Sequence, residues 1–551
     1  MKKLKILIYI CALLTLTSCK DLLDEENISN VNSDEYYKTT EGYTAVVNAS
    51  YAALRSVYST PFIFSAGTDL FVEGRNGQPP GISEYRNLTP DETIVENFYK
   101  NSYSAIQVCN IALYFNDKTA ANANLAGRKA EVQFLRAYYY FLLVQQFGGV
   151  PIIKDRFTTP ALQFKRNSAQ EVYSFIINEM NEALLVLPET QTDFGRVTKR
   201  AVRHFLAKVH LTRGYETFGT LLDFTTAATL ADAAINNQLL TLPFESVFTP
   251  GNEKNAEILF SIQYDPSSIS NQVTGGHSQN YWFGPYMGGQ GAAEGYPNRA
   301  YQLVPTMYLF DLFTDKDSRF DATFMIQYYQ RYYDYYDKAS DRVNLNVKFY
   351  YAPKWASSTV DIAAWRAVNP TRRNAATVIP YSSAWEASRT TGPDNATPAI
   401  KKFDDPKSIY GTSSSTRDIF LARLAETYLI AAEAYFKANN PGVAADRINE
   451  VRKRAAKSGQ DLSISSADVN INFILDERAR ELAGEYHRWF DLKRTGTLME
   501  RTRLYNRDIK KWYDSNIDPF LGTGGKFKIL RPIPTNALIL NQEMIEQNPG
   551  Y

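Results

Sequence analysis

The chain has 551 residues, with 60 Lys and Arg against 59 Asp and Glu. That balance leaves no net field to draw in nucleic acid or an anionic membrane surface, and no nucleic-acid partner is expected. An apolar fraction of 44% is that of a globular protein, and the length suits more than one ordinary domain or one continuous helical array. Only four histidines occur (His204, His210, His277, His487), which argues against a histidine-built metal site or triad. Tyr is in surplus at 37 copies. Two uses compete for it: core packing by a large ring with one polar tip, or exposed rings that stack on a ligand.

The first residues read as a bacterial export signal. Met1-Lys2-Lys3-Leu4-Lys5 is a short basic start, and Ile6 to Thr17 is an apolar stretch too short to span a bilayer stably. It ends in Leu16-Thr17-Ser18-Cys19, the small-small-Cys order of a lipobox. The expectation is a signal over residues 1–18 and a lipid on Cys19, with the competing reading an uncleaved buried helix. Acyl chains anchor by burying CH₂ groups at about 0.8 kcal/mol each. Residues 19–34 then form a tether with the acidic run Asp21 to Glu26.

Amphipathic spacing predicts helices over Glu96–Phe115, Gly127–Phe147, Ala169–Leu187, Thr198–Gly214 and Thr225–Asn236, within a helical region spanning residues 35–240. The second stops at Gly148-Gly149, as a helix does at a left-handed C-terminal glycine. Cys109 falls in the first of these and reads as a small buried thiol. Over residues 241–415 the helical period fades, apart from short pieces such as Val304–Phe313. Gly, Pro, Ser, Asn and aromatic residues accumulate there, which points to functional loops rather than disorder.

Helices return over residues 416–551. One starts at Asp418, with Leu421, Leu424, Tyr428, Ala431 and Tyr435 on a face. After Asn439-Asn440-Pro441-Gly442 a second carries Ala444, Ile448, Val451 and Ala455. Two helices joined by a short Pro-Gly turn, with alanine at the interface, resemble a tetratricopeptide-like pair, although the 34-residue repeat is not clean. A further helix is expected over Ala467–Leu492, and a strand over Phe527–Ile533.

Glu477, Glu481 and Glu485 would lie one above another on that last helix, beside Arg478, Arg480, His487 and Arg488. Carboxylate pairs hydrolyse glycosides, but two catalytic carboxylates must face each other across the sugar, which one helical row cannot do. A salt-linked helix is the expectation, and no catalytic residue is assigned. No HExxH, nucleophile elbow, P-loop or CxxC pair occurs. Gly288–Gly295 is glycine-rich without the GxGxxG register, and Asp315-Lys316-Asp317-Ser318-Arg319 lacks the glycine and terminal Glu of a calcium loop. No metal or cofactor is expected, with a structural calcium in an acid-rich loop as the alternative.

Sugar rings offer flat C–H faces to Trp and Tyr and hydroxyls to carboxylates, amides and guanidiniums. Aromatics on irregular segments are therefore the ligand-binding candidates: Tyr281, Trp282 and Tyr286 in the stretch Tyr281-Trp282-Phe283-Gly284-Pro285-Tyr286, with Trp355 and Trp365; Trp385 lies in the same region. An early loop supplies Asp69, Glu73, Arg75, Asn76 and Tyr85. The competing use of each ring is to pack the loops onto the helices.

Several motifs carry a resemblance over nearly the whole chain. They are the lipobox at Cys19; Ala130-Glu131-Val132-Gln133-Phe134-Leu135-Arg136-Ala137-Tyr138-Tyr139-Tyr140 with Phe147-Gly148-Gly149-Val150-Pro151; Arg423-Leu424-Ala425-Glu426-Thr427-Tyr428-Leu429 running to Ile448-Asn449-Glu450-Val451-Arg452; Glu477-Arg478-Ala479-Arg480-Glu481-Leu482 with His487-Arg488-Trp489-Phe490-Asp491-Leu492-Lys493-Arg494; and the tail Pro532-Ile533-Pro534-Thr535-Asn536 with Gln547-Asn548-Pro549-Gly550-Tyr551. In this order they resemble the SusD/RagB-like outer-membrane nutrient-binding lipoproteins, and the acidic run after Cys19 resembles that of surface-exposed Bacteroidetes lipoproteins. The resemblance implies a mainly α fold, a bundle of tetratricopeptide-like helical pairs under a loop-rich ligand-facing region with a few short strands. It also implies a lipid-anchored protein facing the extracellular side of the outer membrane. Such a protein hands an oligosaccharide, or in some members a peptide, to a SusC-like TonB-dependent barrel transporter. The motifs are scaffold and transfer no individual ligand contact.

Overall fold

In the computed structural model the described residues are 33–74, 81–120, 124–268, 276–283, 295–297, 299, 302–386, 395–408, 414–543 and 545–551. Cys19 and its acidic run, Arg75, Asn76, Tyr286 and residues 288–294 lie outside them.

The longer helices are α1 (Thr40–Val57), α2 (Thr93–Asn116), α3 (Leu125–Phe147), α4 (Ala169–Val186), α5 (Lys199–Arg213), α6 (Leu221–Ile235), α7 (Thr359–Val368), α8 (Leu424–Lys437), α9 (Pro441–Ala455) and α10 (Ile471–Leu482). Their starts are written locally. Thr39 caps α1, Thr198 caps α5, and Ser168 with Glu171 closes a capping box on α4. Pro441 opens α9, where its missing N–H costs nothing. Sequence reading passed over α1, although Tyr43, Val46, Val47, Ser50, Leu54 and Val57 form its buried stripe.

Neighbours in the chain pack pairwise: α1 on α2, α2 on α3, α3 on α4, α4 on α5 and α5 on α6, and the array continues from α6 to α8 and α9. Spacing assigned α3 one apolar face. In fact every residue from Ala130 to Phe147 is buried, because helices flank it on several sides. Its polar groups are satisfied in place: Arg136 forks onto Glu179 at 3.0 and 2.7 Å, and Glu131 takes Arg128 and Arg196 at 2.8 Å each.

The short strands are β1 (Phe71–Glu73), β2 (Ile258–Ile262), β3 (Leu303–Pro305), β4 (Phe324–Met325), β5 (Gln327–Tyr329), β6 (Val347–Ala352), β7 (Thr377–Pro380), β8 (Ala399–Ile400) and β9 (Ile419–Arg423). They form three two-stranded ladders, β1 with β3, β2 with β9 and β4 with β8, and one sheet in the order β5-β6-β7. The pairing of β2 with β9 explains the loop-rich region: it leaves and returns at one antiparallel ladder, so α6 and α8 remain neighbours across it. One contiguous core runs from Tyr43 through Phe283, Trp385 and Ile400 to Trp489 and Ile533, tying the loops to both helical regions.

Three expected elements differ. The helix placed from Asp418 begins at Leu424, because Ile419–Arg423 is drawn into the ladder with β2. Phe527–Ile533 is irregular, joined to its surroundings by an isolated bridge from Phe527 to Leu521. The helix expected over 467–492 is two: α10 ends at Leu482, and a second helix spans Arg488–Arg494. Gly484 and Tyr486 turn the chain between them with φ of 78° and 66°. A Cβ on Gly484 would sit 2.6 Å from the Phe403 ring, so the turn needs glycine both for its backbone and for room. Among the described residues no helix is long and apolar enough to cross a membrane.

Candidate functional site

The ligand-facing expectation rests on loops, and the structure shows where three of them are rooted. β1 and β3 pair antiparallel with Val72 opposite Val304, extended by the Gly74 N–H donating to Gln302 O at 3.2 Å. Phe283 bridges to Leu303, and its ring lies between Phe71 at 5.0 Å and Phe403 at 5.3 Å. Ala396 packs on Val72 and Val304. Chain positions flanking residues 75–80, 284–294 and 387–394 thus converge on one apolar ladder.

Trp282 stands beside that ladder. It ends the short helix Gln279–Trp282, is half-buried, and meets Phe62 edge-on at 5.0 Å. Its Nε1–H donates to Ser278 Oγ at 3.0 Å, and Tyr281, also half-buried, packs against it at 4.8 Å. The buried His277 aims this helix: its Nε2 donates to Arg417 O at 2.7 Å and its Nδ1 accepts the Gln279 N–H at 3.1 Å. Burial pushes the His277 imidazole down to about 4, so it holds this arrangement as a neutral ring. The Asn280 amide is buried next to the pair, and its Oδ1 has no partner among the described residues. Behind them, buried Arg299 donates to Ile400 O at 3.2 Å and to Phe283 O, and pairs with Asp404, which also accepts from Tyr332 and Tyr336.

The other candidates are placed elsewhere. Asp69 is fully buried, accepting a two-point contact from Arg488 at 2.7 and 2.6 Å and a third bond from Arg501 at 2.9 Å. Burial alone would raise its carboxyl; the two guanidiniums outweigh that and hold it below the ordinary carboxylate range. Tyr85 is likewise interior, stacked on Phe520 at 4.0 Å, with its hydroxyl donating to Gly67 O and accepting from Trp489. Both side chains are enclosed, with their oxygens hydrogen-bonded within the protein. Glu73 is also buried, with its carboxylate on Ser83 at 2.8 Å. Trp365 stacks on Tyr350 at 4.1 Å and 8°, with Arg373 over its ring, and Trp355 meets Phe320 edge-on at 4.8 Å; both are half-buried. Trp385 is fully enclosed by Phe310, Tyr351 and Tyr381.

The acidic cluster is a buried salt lattice. Glu477 takes Arg319, Arg452 and Arg480 at 2.7–2.8 Å; Glu481 takes Arg423 at 2.7 Å, Arg319 at 3.0 Å and Arg454; Glu485 takes Arg423 at 2.6 Å and Lys402 at 2.5 Å. Each carboxylate is enclosed by cations, all but Arg480 from other elements, rather than set across a cleft from another acid. Among the described residues no group of three or more His, Cys, Asp or Glu is placed to hold a metal.

Sequence reading missed a groove of about 920 Å³ along α2, walled by the segment around Phe157–Phe164 and by the helix Thr535–Leu540. Its signal was present as Tyr99 and Tyr103 one turn apart on α2 and as exposed Leu540 in the Pro-rich tail.

Comparison with known proteins agrees with this architecture. Residues 256–551 match the model of the SusD family, and residues 21–211 match a second model described as starch-binding and associating with the outer membrane. The chain is 26% identical to SusD-like protein P2 of Formosa agariphila over the whole of both chains. It is 26% identical to the starch-binding protein SusD of Bacteroides thetaiotaomicron over 80% of this chain and 76% of that one. Among solved structures, a laminarin-binding SusD-like protein superposes with a TM-score of 0.68 at 23% identity, covering 94% of this chain and 100% of that one. With a family model matched across more than half its length, the chain belongs to the SusD family.

Proposed function

We propose that this protein captures an oligosaccharide non-covalently at the rim formed by Tyr281 and Trp282. We further propose that it delivers the sugar to a SusC-like TonB-dependent transporter, held at the extracellular side of the outer membrane by a lipid on Cys19. The observation that carries the reading is the half-buried Tyr281–Trp282 pair, held by a neutral His277 beside the ladder where three loops are rooted. Ring faces with a nearby amide suit sugar C–H surfaces and hydroxyls. Starch and laminarin binding by relatives favours a glucan as cargo. No catalysis is included, since Glu477, Glu481 and Glu485 are each bound by cations.

Calorimetric titration of the lipid-free protein with starch-derived and laminarin-derived oligosaccharides, and with peptides, tests this. Binding of a glucan with the glycan recovered intact by mass spectrometry is expected. Silence across glycans with clear peptide binding would replace the cargo, and release of shorter sugars would replace binding by glycosidase action.

A further inference from the structure

The groove along α2 has no part in the glycan site. Its floor is the outward stripe Glu96, Tyr99, Lys100, Tyr103, Ser104 and Gln107, which at 1.5 Å per residue is about 16 Å long. Its walls are carbon-rich, and Phe157, Leu162 and Leu540 remain 40%, 44% and 64% exposed. Large apolar side chains left open around one concavity mark a surface that something covers.

We propose that the occupant is this chain's own N-terminal segment, residues 20–32, which lays Ile28 and the Leu22-Leu23 pair into the groove. The described chain begins at the groove's edge. Asp34 accepts from Arg156 at 3.1 and 2.5 Å, and Arg156 immediately precedes Phe157, a wall residue. Tyr37 rests on Phe115 at 5.4 Å, and its carbonyl accepts from Thr119 at 3.1 Å, which pins the entry to the C-terminal end of α2. From Phe115 to Glu96 the helix axis covers about 28 Å. Thirteen residues at about 3.3 Å each reach about 43 Å, so the segment can run the full groove. Ile28, five residues before Ser33, then falls near Gln107, and Leu22-Leu23 near Leu540 and Glu96. Apart from Val31, the rest of the segment is polar or charged and suits the open rim. Seating the segment brings residue 19 out at the N-terminal end of α2, so the groove decides which face of the protein lies nearest the chain's attachment point. The inference does not depend on the glycan reading.

The test uses the full chain in its native membrane. Leu23→Cys with Leu540→Cys is oxidised and followed as an intramolecular cross-link on a non-reducing gel. Leu23→Cys with Val360→Cys, an exposed position on α7, is the reference. Cys109 is buried. Cross-linking to position 540 about ten-fold faster than to position 360 is expected from the raised local concentration of a docked segment. Equal rates overturn the proposal, and cross-links only between molecules assign the groove to a second copy. Leu22→Asp with Leu23→Asp and Ile28→Asp should raise maleimide labelling of Leu540→Cys several-fold and leave the thermal midpoint unchanged. Labelling that stays protected in that variant until the membrane is solubilised would give the groove to a membrane partner and overturn the proposal.

Discussion

Replacing Glu481 by Gln keeps its shape and deletes one buried charge. Burial alone would raise this carboxyl; Arg454, Arg423 and Arg319 reverse that and hold it at about 2, against an ordinary 4.5. A carboxylate depressed that far contributes about 3 kcal/mol of folding stability at neutral pH. Breaking a buried ion pair costs a similar amount, about 3–5 kcal/mol. The sign follows from the direction of the shift: the contribution is present above pH 4.5 and is lost as pH falls towards 2. Glu481→Gln should therefore destabilise the protein by about 3 kcal/mol at pH 7, and the deficit should shrink to under half of that near pH 3. Paired chemical denaturation of both proteins at the two pH values, followed by tryptophan fluorescence, measures it. A deficit below about 0.5 kcal/mol at pH 7, or one that is the same at both pH values, would refute the lattice as a source of stability.

Asp69→Asn should lower stability by about 3–5 kcal/mol, read from denaturant midpoints, because Arg488 and Arg501 lose their shared anion. Trp282→Ala should weaken glucan binding by about 1.4 kcal/mol, ten-fold in Kd, measured by calorimetry. Trp365→Ala should cost about 2–3 kcal/mol of stability through loss of its stack on Tyr350, with glucan affinity unchanged. Cys109 is the only cysteine in a chain starting after residue 19, and burial pushes its thiol up to about 12, so it should resist an aromatic disulfide reagent at pH 8 until the protein is unfolded.

The helices were legible because each is specified within a few residues of itself. Ser168 with Glu171 starts α4, Thr198 starts α5, and Gly148 stops α3 with φ of 69°. The same locality explains the misreadings. Asp418–Arg423 carries a helical apolar period but pairs with a strand that precedes it by some 160 residues, and the period cannot register that partner. Glu485 continues the spacing of Glu477 and Glu481, yet α10 ends at Leu482 and Glu485 meets Arg423 and Lys402 from the turn at Gly484.

Sequence alone determined the family motifs, the helical array and the aromatic richness of the middle region, since these reside in residue order. Only the tertiary structure decided which aromatic or charged group is free to bind. Asp69 is consumed by Arg488, 419 residues away, and Trp385 is enclosed by Phe310, Tyr351 and Tyr381, whereas Tyr281 and Trp282 keep part of their surface. Exposure is a property of what packs on a side chain, and those partners are chosen by the folded chain rather than by its neighbours in sequence.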